Sequence, residues 1–538
     1  MYKRQGENSL TGRVIDLKGT QLELDRYTLD VQGAYNTLPE PENVVVRPPQ
    51  EWLDHRAEKG LDTNVLWKMK KLLPGRRVAS KLWVKHVGDQ LKSVGFDQCP
   101  GQPQFFHNSS TNLTCSVHMD DIHGCGPADE IDKHLAELST LLPLKKAQRH
   151  TVGDTYTHLK RTRHILEDGT LIVPNDKHVR EVLTRLGFEN CKPAAAPMIE
   201  SMKPLPTDAD EPLEDWEASE YRSLTSILLY ASHDMSAMQF TLRILTSDMK
   251  KPNVAAWERL KHAARYLAGV RGEGTWFEQT DKPNTLLIST DTDWAGDRRT
   301  RKSASCTVLR IGKNNMYSQV KGQQIHAQSS GEAEFYGMGS GISAGIGLKH
   351  VMDFIEMPVD LTVESDSSAA RAVLWRSGVG KIRHLEVKTL WAQQLVEDGL
   401  LDVKAVAGEH NVADIGTKIL PASRLRYLKE KLGVMTLEAA KGIATQKQVA
   451  TVSGKIREEL LTLIAAATRR VKEKTDENES SKAEPEPTGE STAIARPIAE
   501  VDKVLTLQQI RENLDREIGI SKRKLYAAHC WAAYAAGE

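Results

Sequence analysis

Ser289-Thr290-Asp291-Thr292-Asp293-Trp294-Ala295-Gly296 puts an acid at the end of an apolar run, Leu286-Leu287-Ile288. A strand of that kind can hold a carboxylate rigidly at the centre of a site. Three more acids stand in settings as distinct. Glu334 ends Ser329-Ser330-Gly331-Glu332-Ala333-Glu334, and Asp366 lies in Val363-Glu364-Ser365-Asp366-Ser367. Asp414 lies in Val412-Ala413-Asp414-Ile415-Gly416-Thr417-Lys418. Four carboxylates converging on one point repel unless divalent cations sit between them. Two cations about 3.5–4 Å apart are a standard device for displacement at a phosphodiester. The pattern reads as a nuclease.

The elements around these acids have a definite order. Strands are expected at Thr285–Asp291, Ala304–Ile311 and Asn315–Val320, with Gly312-Lys313-Asn314 as a turn. A helix follows at Glu332–Ile355, then a strand at Leu361–Val363 and helices at Ser367–Trp375 and Leu385–Asp398. Asp402–Val406 reads as a strand, and Val412–Thr417 as the opening of a last helix. Helix N-termini favour acids by a few tenths to about 1 kcal/mol, so capping is the plainer reading of Glu334 and Asp414 taken singly. Four acids on these elements in this order favour a site.

Upstream, Leu22–Leu29 reads as a strand ending at Asp30. Leu113–Met119 reads as another, leading into Asp120-Asp121, with Gly124 and Gly126 as turn formers. Apolar spacing at Val179, Val182, Leu183 and Leu186 predicts a helix over Asp176–Gly187. Three more helices are expected near Tyr221–His233, Met235–Met249 and Val254–Ala268. After about Val434 the character changes: an amphipathic helical stretch is expected over Thr436–Lys474, followed by an acidic, Ser- and Pro-containing segment, Thr475–Glu490, that is expected to be disordered. A short helical pair is expected over Leu505–Ala536.

Composition sets broad bounds. The 538 residues suit roughly three or four domains. Lys+Arg and Asp+Glu are both 72, so net charge names no partner, but its distribution is uneven. Lys68 to Lys92 holds eight Lys or Arg and one acid, Asp89. Lys145, Lys146, Arg149, Lys160, Arg161 and Arg163 form a second basic stretch, and Arg298-Arg299-Thr300-Arg301-Lys302 a third. Such patches suit phosphate contacts, although solvated faces are the commoner use. The six cysteines form no C-x-x-C pair, which speaks against a zinc knuckle or a disulfide framework. No run of about 18 apolar residues and no apolar N-terminal core is present, so the expected location is intracellular, cytoplasm or nucleus.

The acid settings resemble the ribonuclease H domain of copia-type retrotransposons over about Thr285–Leu420. The family's Asp-Ala-Asp-Trp-Ala-Gly, Ser-Ser-Thr-Glu-Ala-Glu and Ala-Asp-Ile-Leu-Thr-Lys correspond to 291–296, 329–334 and 413–418. The resemblance implies that Asp291, Glu334, Asp366 and Asp414 are catalytic ligands of two Mg2+ or Mn2+ ions. Asp293, Glu332 and His384 are polar neighbours, and His410 is a candidate proton shuttle.

His118-Met119-Asp120-Asp121 resembles the paired-aspartate box of reverse transcriptases, and Leu29-Asp30-Val31-Gln32-Gly33-Ala34-Tyr35 the family's other aspartate box. Val45-Val46-Arg47-Pro48-Pro49 and Leu186-Gly187-Phe188 also fit, so the likeness runs from about 22 to 433. It implies that Asp30 and Asp120 hold a second pair of ions with Asp121 in support. It also implies an RNA–DNA hybrid, an RNA template and a DNA primer as partners. Arg76, Arg77, Lys81, Arg298, Arg299, Arg301 and Lys302 are the candidate nucleic-acid contacts.

Three departures predict an impaired polymerase. Only 29 residues precede Asp30, where the family carries a fingers segment. His118 replaces an aromatic tyrosine, and the Leu-Tyr-Gly-Leu-Lys-Gln-Ala-Pro-Arg box is reduced to Leu73-Pro74-Gly75-Arg76-Arg77-Val78-Ala79-Ser80. The expected architecture is a multidomain α+β and α/β chain. Residues 1–200 form a partial reverse-transcriptase palm, 201–280 a helical connection and 281–433 a ribonuclease H-like α/β domain. Residues 434–538 form a helical extension with a disordered linker at about 475–500. Its expected activities are hydrolase and transferase chemistry on RNA–DNA hybrids. The alternatives are a non-catalytic nucleic-acid-binding remnant, and a relic whose residues 434–538 bind a protein partner.

Overall fold

The computed structural model describes residues 3–205, 211–378 and 390–443. All lie in the first of two compact units, Met1–Gly454. His384 and most of the 434–538 extension lie outside the described residues.

Three sheets of five or six strands carry the described residues, beside a two-stranded pair of Val45–Val46 with Trp67–Lys68. The nuclease-like sheet has five strands, and their spatial order is Asn314–Gly322, Ala304–Ile311, Thr285–Asp293, Asp360–Ser365, Leu401–Ala405. The first three pair antiparallel and the last two join in parallel. In chain order this is third, second, first, fourth, fifth. Parallel neighbours need a crossover, and the Ser330–Phe354 helix supplies the first one. Its N-cap is Ser329, whose hydroxyl accepts from Glu332 N–H at 3.2 Å. The helix packs tightly because Gly337, Gly341 and Gly345 repeat at four-residue spacing. A Cβ on these three would fall 2.5–2.6 Å from Thr292, Thr290 and Ile288. The glycines therefore let the helix lie close against the Asp291 strand.

A six-stranded antiparallel sheet lies in the region expected to be a palm, and is called the palm below: Asp97–Gln98, Phe105–Asn108, Leu113–His118, Asp121–Gly126, Asp25–Val31, Leu144–His150. Here Gly124 and Gly126, expected in a turn, lie on a buried strand. Added Cβ atoms would collide with Tyr27 and Leu113 at 2.4 Å, so close packing, rather than a bend, requires glycine. The turn falls earlier, at Met119-Asp120, and Met119 has φ 59° as a tight hairpin demands.

The third sheet joins Val434–Met435, Gly274–Glu278, Gly169–Pro174, Arg161–Leu166 and Thr155–His158. It combines strands from both sides of the boundaries expected at 200 and 280. Between them run the helices Lys177–Arg185, Asp215–Ala231, Ser236–Asp248 and Val254–Gly269, close to expectation. Their core is continuous with Cys306 and Val308 on the nuclease sheet.

Two helices also depart from the sequence reading. A helix at Lys3–Gln21 was not foreseen. Val14, Ile15 and Leu17 are fully buried, and so are Asp16 and Lys18. From Thr11 to Thr20 every residue but Gly12 is buried, and a segment covered in that way has no apolar stripe to read. Its polar groups are paired instead. Lys18 Nζ donates to Thr114 Oγ1 at 2.9 Å, Arg13 to the Asn315 carbonyl at 3.1 Å, and Asp16 accepts from Arg163 at 2.8 Å. The second departure is the last helix. Val412–Gly416 is a 3-10 turn, and the α-helix begins later, at Ala422–Lys431. Pro421 has no N–H to continue an earlier helix and sits at the N-cap of the later one.

Candidate metal centre

Each acid of the quartet reaches the site by a different route. Asp291 is the seventh residue of the Thr285–Asp293 strand and is 3 % exposed. Asp366 follows the parallel Asp360–Ser365 strand directly. Glu334 stands near the start of the glycine-bearing helix and is 7 % exposed. One oxygen from each of Asp291, Glu334 and Asp366 lies within 4.8 Å of the others. Among the described residues this is the one group of three such ligands.

Electrostatics there are strained. Burial, then the Asp291 and Asp366 charges, push the Glu334 carboxyl up to about 8. Burial likewise raises Asp291 to about 6, with Asp414 and Asp366 adding to it. Glu334 Oε2 is buried without a hydrogen-bond partner. Hard carboxylate oxygens, convergence and an orphaned acceptor together fit a divalent cation.

Asp414 sits differently. It lies in the Val412–Gly416 turn, which Asn411 ties to the Asp291 strand. The Asn411 amide donates to the Thr290 carbonyl at 3.0 Å, and its oxygen accepts from Ala413 N–H at 3.1 Å. Asp414 Oδ1 is bound by Lys418 Nζ, and Oδ2 accepts from Arg424 at 3.1 Å. Lys418 Nζ also lies 3.7 Å from Asp291 Oδ1, and Thr417 donates its hydroxyl to Asp291 Oδ2. Burial opposes the Lys418 charge, but Asp291 and Asp414 outweigh it and raise the ammonium's pKa. Thr417, Lys418, Arg424 and Asn411 carried no role in the sequence reading. The i, i+4 spacing of Asp414 and Lys418 was the available signal.

The neighbours divide by role. Glu332 accepts from Gln328 N–H at 2.6 Å and Tyr336 OH at 2.9 Å, so it braces the helix start. Asp293 is half-buried, and that burial raises its carboxyl. His410 Nδ1 meets Tyr427 OH at 2.8 Å. Its turn is held near Asp366, since a Cβ on Gly408 would lie 3.3 Å from Asp366 Oδ2.

In the palm, Asp30 and Asp121 are direct cross-strand partners, and the Asp120 carbonyl accepts from Val31 N–H at 2.9 Å. Burial, with Asp120 and Asp30 adding to it, raises the Asp121 carboxyl. Lys145 Nζ lies 3.7 Å from Asp30 Oδ2. The three acids share one end of the sheet without converging as the nuclease triad does. Of the expected nucleic-acid contacts, Arg77, Lys81, Arg298 and Arg301 are exposed and Lys302 is half-buried. Arg76 is engaged by Glu40 at 2.7 Å and Glu42 at 2.9 Å, and Arg299 by Asp248 at 2.6 Å. Those two guanidiniums serve internal ion pairs. No helix among the described residues is long and apolar enough to cross a membrane.

No known family profile matches the chain. It is 24 % identical over 435 residues to the retrovirus-related Pol polyprotein from transposon TNT 1-94 of Nicotiana tabacum, covering 78 % of this chain and 32 % of that one. It is 24 % identical over 428 residues to the retrovirus-related Pol polyprotein from transposon RE2 of Arabidopsis thaliana, covering 77 % and 28 %. The chain thus spans about a third or less of the length of these curated relatives. Among solved structures, the N-terminal RNase H domain of rv2228c from Mycobacterium tuberculosis is matched at 13 % identity and a TM-score of 0.19, over 27 % of this chain and 96 % of that one. In its motifs, their order and its overall sequence, the chain is similar to the retrovirus-related Pol polyproteins of plant transposons.

Proposed function

We propose that the protein is a metal-dependent ribonuclease H-type endonuclease acting on RNA–DNA hybrids inside the cell, joined to a reverse-transcriptase palm of impaired polymerase activity. One observation carries the nuclease reading: Asp291, Glu334 and Asp366 converge, and Glu334 Oε2 is left without a partner. A divalent ion there would polarise the phosphodiester and lower the pKa of its bound water. Asp291, Glu334 and Asp366 would hold that ion. Thr417 fixes the orientation of Asp291, and Arg424 fixes Asp414 together with the Gly408 and Glu409 carbonyls. Exposed Arg298 and Arg301, on the loop after the Asp291 strand, are placed for phosphate contacts. The impaired-polymerase reading rests on the looser arrangement of Asp30, Asp120 and Asp121 and on His118.

The test is cleavage of a labelled RNA–DNA hybrid with Mg2+ or Mn2+ by wild type and Asp291→Asn. Wild type is expected to cleave only with metal, and Asp291→Asn to lose at least 100-fold. Folded wild type that binds hybrid but cleaves with neither ion would leave the non-catalytic binding reading in its place.

A further inference from the structure

We propose that Lys418 is a built-in counter-ion occupying the second cation position of the acid cluster, so that without substrate the site takes one divalent ion. The inference rests on the nuclease reading of this site and concerns what the chain itself supplies to it.

Charge and hydrogen bonding agree. With an ion at the triad, which would keep all four acids ionised, the quartet Asp291, Glu334, Asp366 and Asp414 carries four negative charges. Lys418 and Arg424 return two positive charges, leaving two negative (−4 + 2 = −2), which one divalent ion matches. The unmet demand lies at the triad, where Glu334 Oε2 is orphaned. Asp414 has none, because Lys418 and Arg424 take one oxygen each. Lys418 Nζ reaches both Asp414 and, at 3.7 Å, Asp291. A second ion bridging those two carboxylates would need the same place.

The placement of Lys418 is built into the backbone. Its N–H donates to the Asp414 carbonyl at 3.2 Å, so one i, i+4 turn of backbone delivers both residues together. The acids it contacts are almost fully buried, at 3 % and 5 % exposure, and water screens such pairs little. The Lys418 side chain itself is 47 % exposed, so the ammonium also borders the solvent from which a phosphate would approach. A phosphate could compete for it there, so the count of one ion is a property of the substrate-free protein.

The experiment is a Mn2+ titration of the full chain without nucleic acid, followed by calorimetry and by electron paramagnetic resonance. Ions at this site are counted as the difference from the Asp291→Asn form of each protein, which removes any contribution from the palm acids. Wild type is expected to take one ion, and Lys418→Met and Lys418→Gln two, with the second binding within about tenfold of the first. Lys418→Arg, which keeps the charge, is expected to stay at one. Two ions in wild type would overturn the proposal, as would one ion in folded Lys418→Met and Lys418→Gln. The wild-type count stands even if a variant fails to fold. Zero ions in wild type would reject the metal-site reading itself, and the proposal with it.

Discussion

Thr417 and His134 show how much single side chains decide. The Thr417 hydroxyl donates to Asp291 Oδ2 and fixes which oxygen is left for an ion. Thr417→Val keeps the shape and removes the donor, so hybrid cleavage should fall about tenfold or more, equivalent to about 1–2 kcal/mol. Thr417→Ser should restore both cleavage and Mn2+ affinity; a purely structural role would leave Mn2+ affinity unchanged in Thr417→Val. His134 is 3 % exposed, packs against Tyr27 and Phe96, and has no partner for Nε2. Burial lowers its pKa to about 4. The folded state therefore keeps it neutral while the unfolded chain takes up a proton below about 6.5. Its contribution to stability is intact above 6.5 and is lost as pH falls toward 4, by up to about 1.4 kcal/mol per pH unit. His134→Leu should flatten the pH dependence of the urea midpoint between pH 6.5 and 4.5. An unchanged slope would show that His134 protonates freely in the fold.

At the scale of elements, the Ser330–Phe354 helix positions the site through its glycines. Gly341 has no room for a methyl, since its Cβ would fall 2.6 Å from Thr290. Gly339, on the same helix, would meet nothing within 4 Å. Gly341→Ala should therefore destabilise by about 1–3 kcal/mol, although alanine is the better helix former. It should also weaken Mn2+ binding by moving Glu334 away from Asp291. Gly339→Ala should instead stabilise by about 0.5–1 kcal/mol. Chemical denaturation of the pair checks both signs, and equal effects would remove the close-packing argument. Sequence reading found this helix to within two residues at its start, because its Ser-x-x-Glu start is a local signal. It misplaced the last helix because Asn411 and Pro421 reshape the chain between Asp414 and the true start at Ala422.

On the scale of the described unit, the Lys3–Gln21 helix joins the palm to the nuclease sheet. Val14, Ile15 and Leu17 share one core with Phe105 and Cys125 of the palm and with Leu286, Ile288 and Met316 of the nuclease sheet. Lys18 bonds to Thr114 and, at 3.4 Å, to the Ile355 carbonyl at the end of the nuclease helix. Ile15→Ala should cost about 2–4 kcal/mol. Palm and nuclease sheets should still lose structure together, in one transition followed by hydrogen exchange on both. Separate transitions in wild type would show that the shared core does not couple them.

The sequence by itself determined the likeness to copia-type Pol polyproteins, the order of strands and helices in the nuclease-like region up to its last helix, and the candidate acids. Those are written in local patterns: an apolar run ending in Asp291, a capped helix start before Glu334, short motifs around Asp366 and Asp414. Tertiary structure alone decided which acids converge and which are already neutralised. Asp414 came out paired to Lys418 and Arg424, while Glu334 was left with an orphaned oxygen. It also decided the place of the first helix, whose burial from Thr11 to Thr20 leaves no periodic trace. The physical reason is common to both. Period and propensity are set by near neighbours, whereas the convergence of Asp291, Glu334 and Asp366 and the burial of the first helix depend on residues tens to hundreds of positions apart that only the fold brings together.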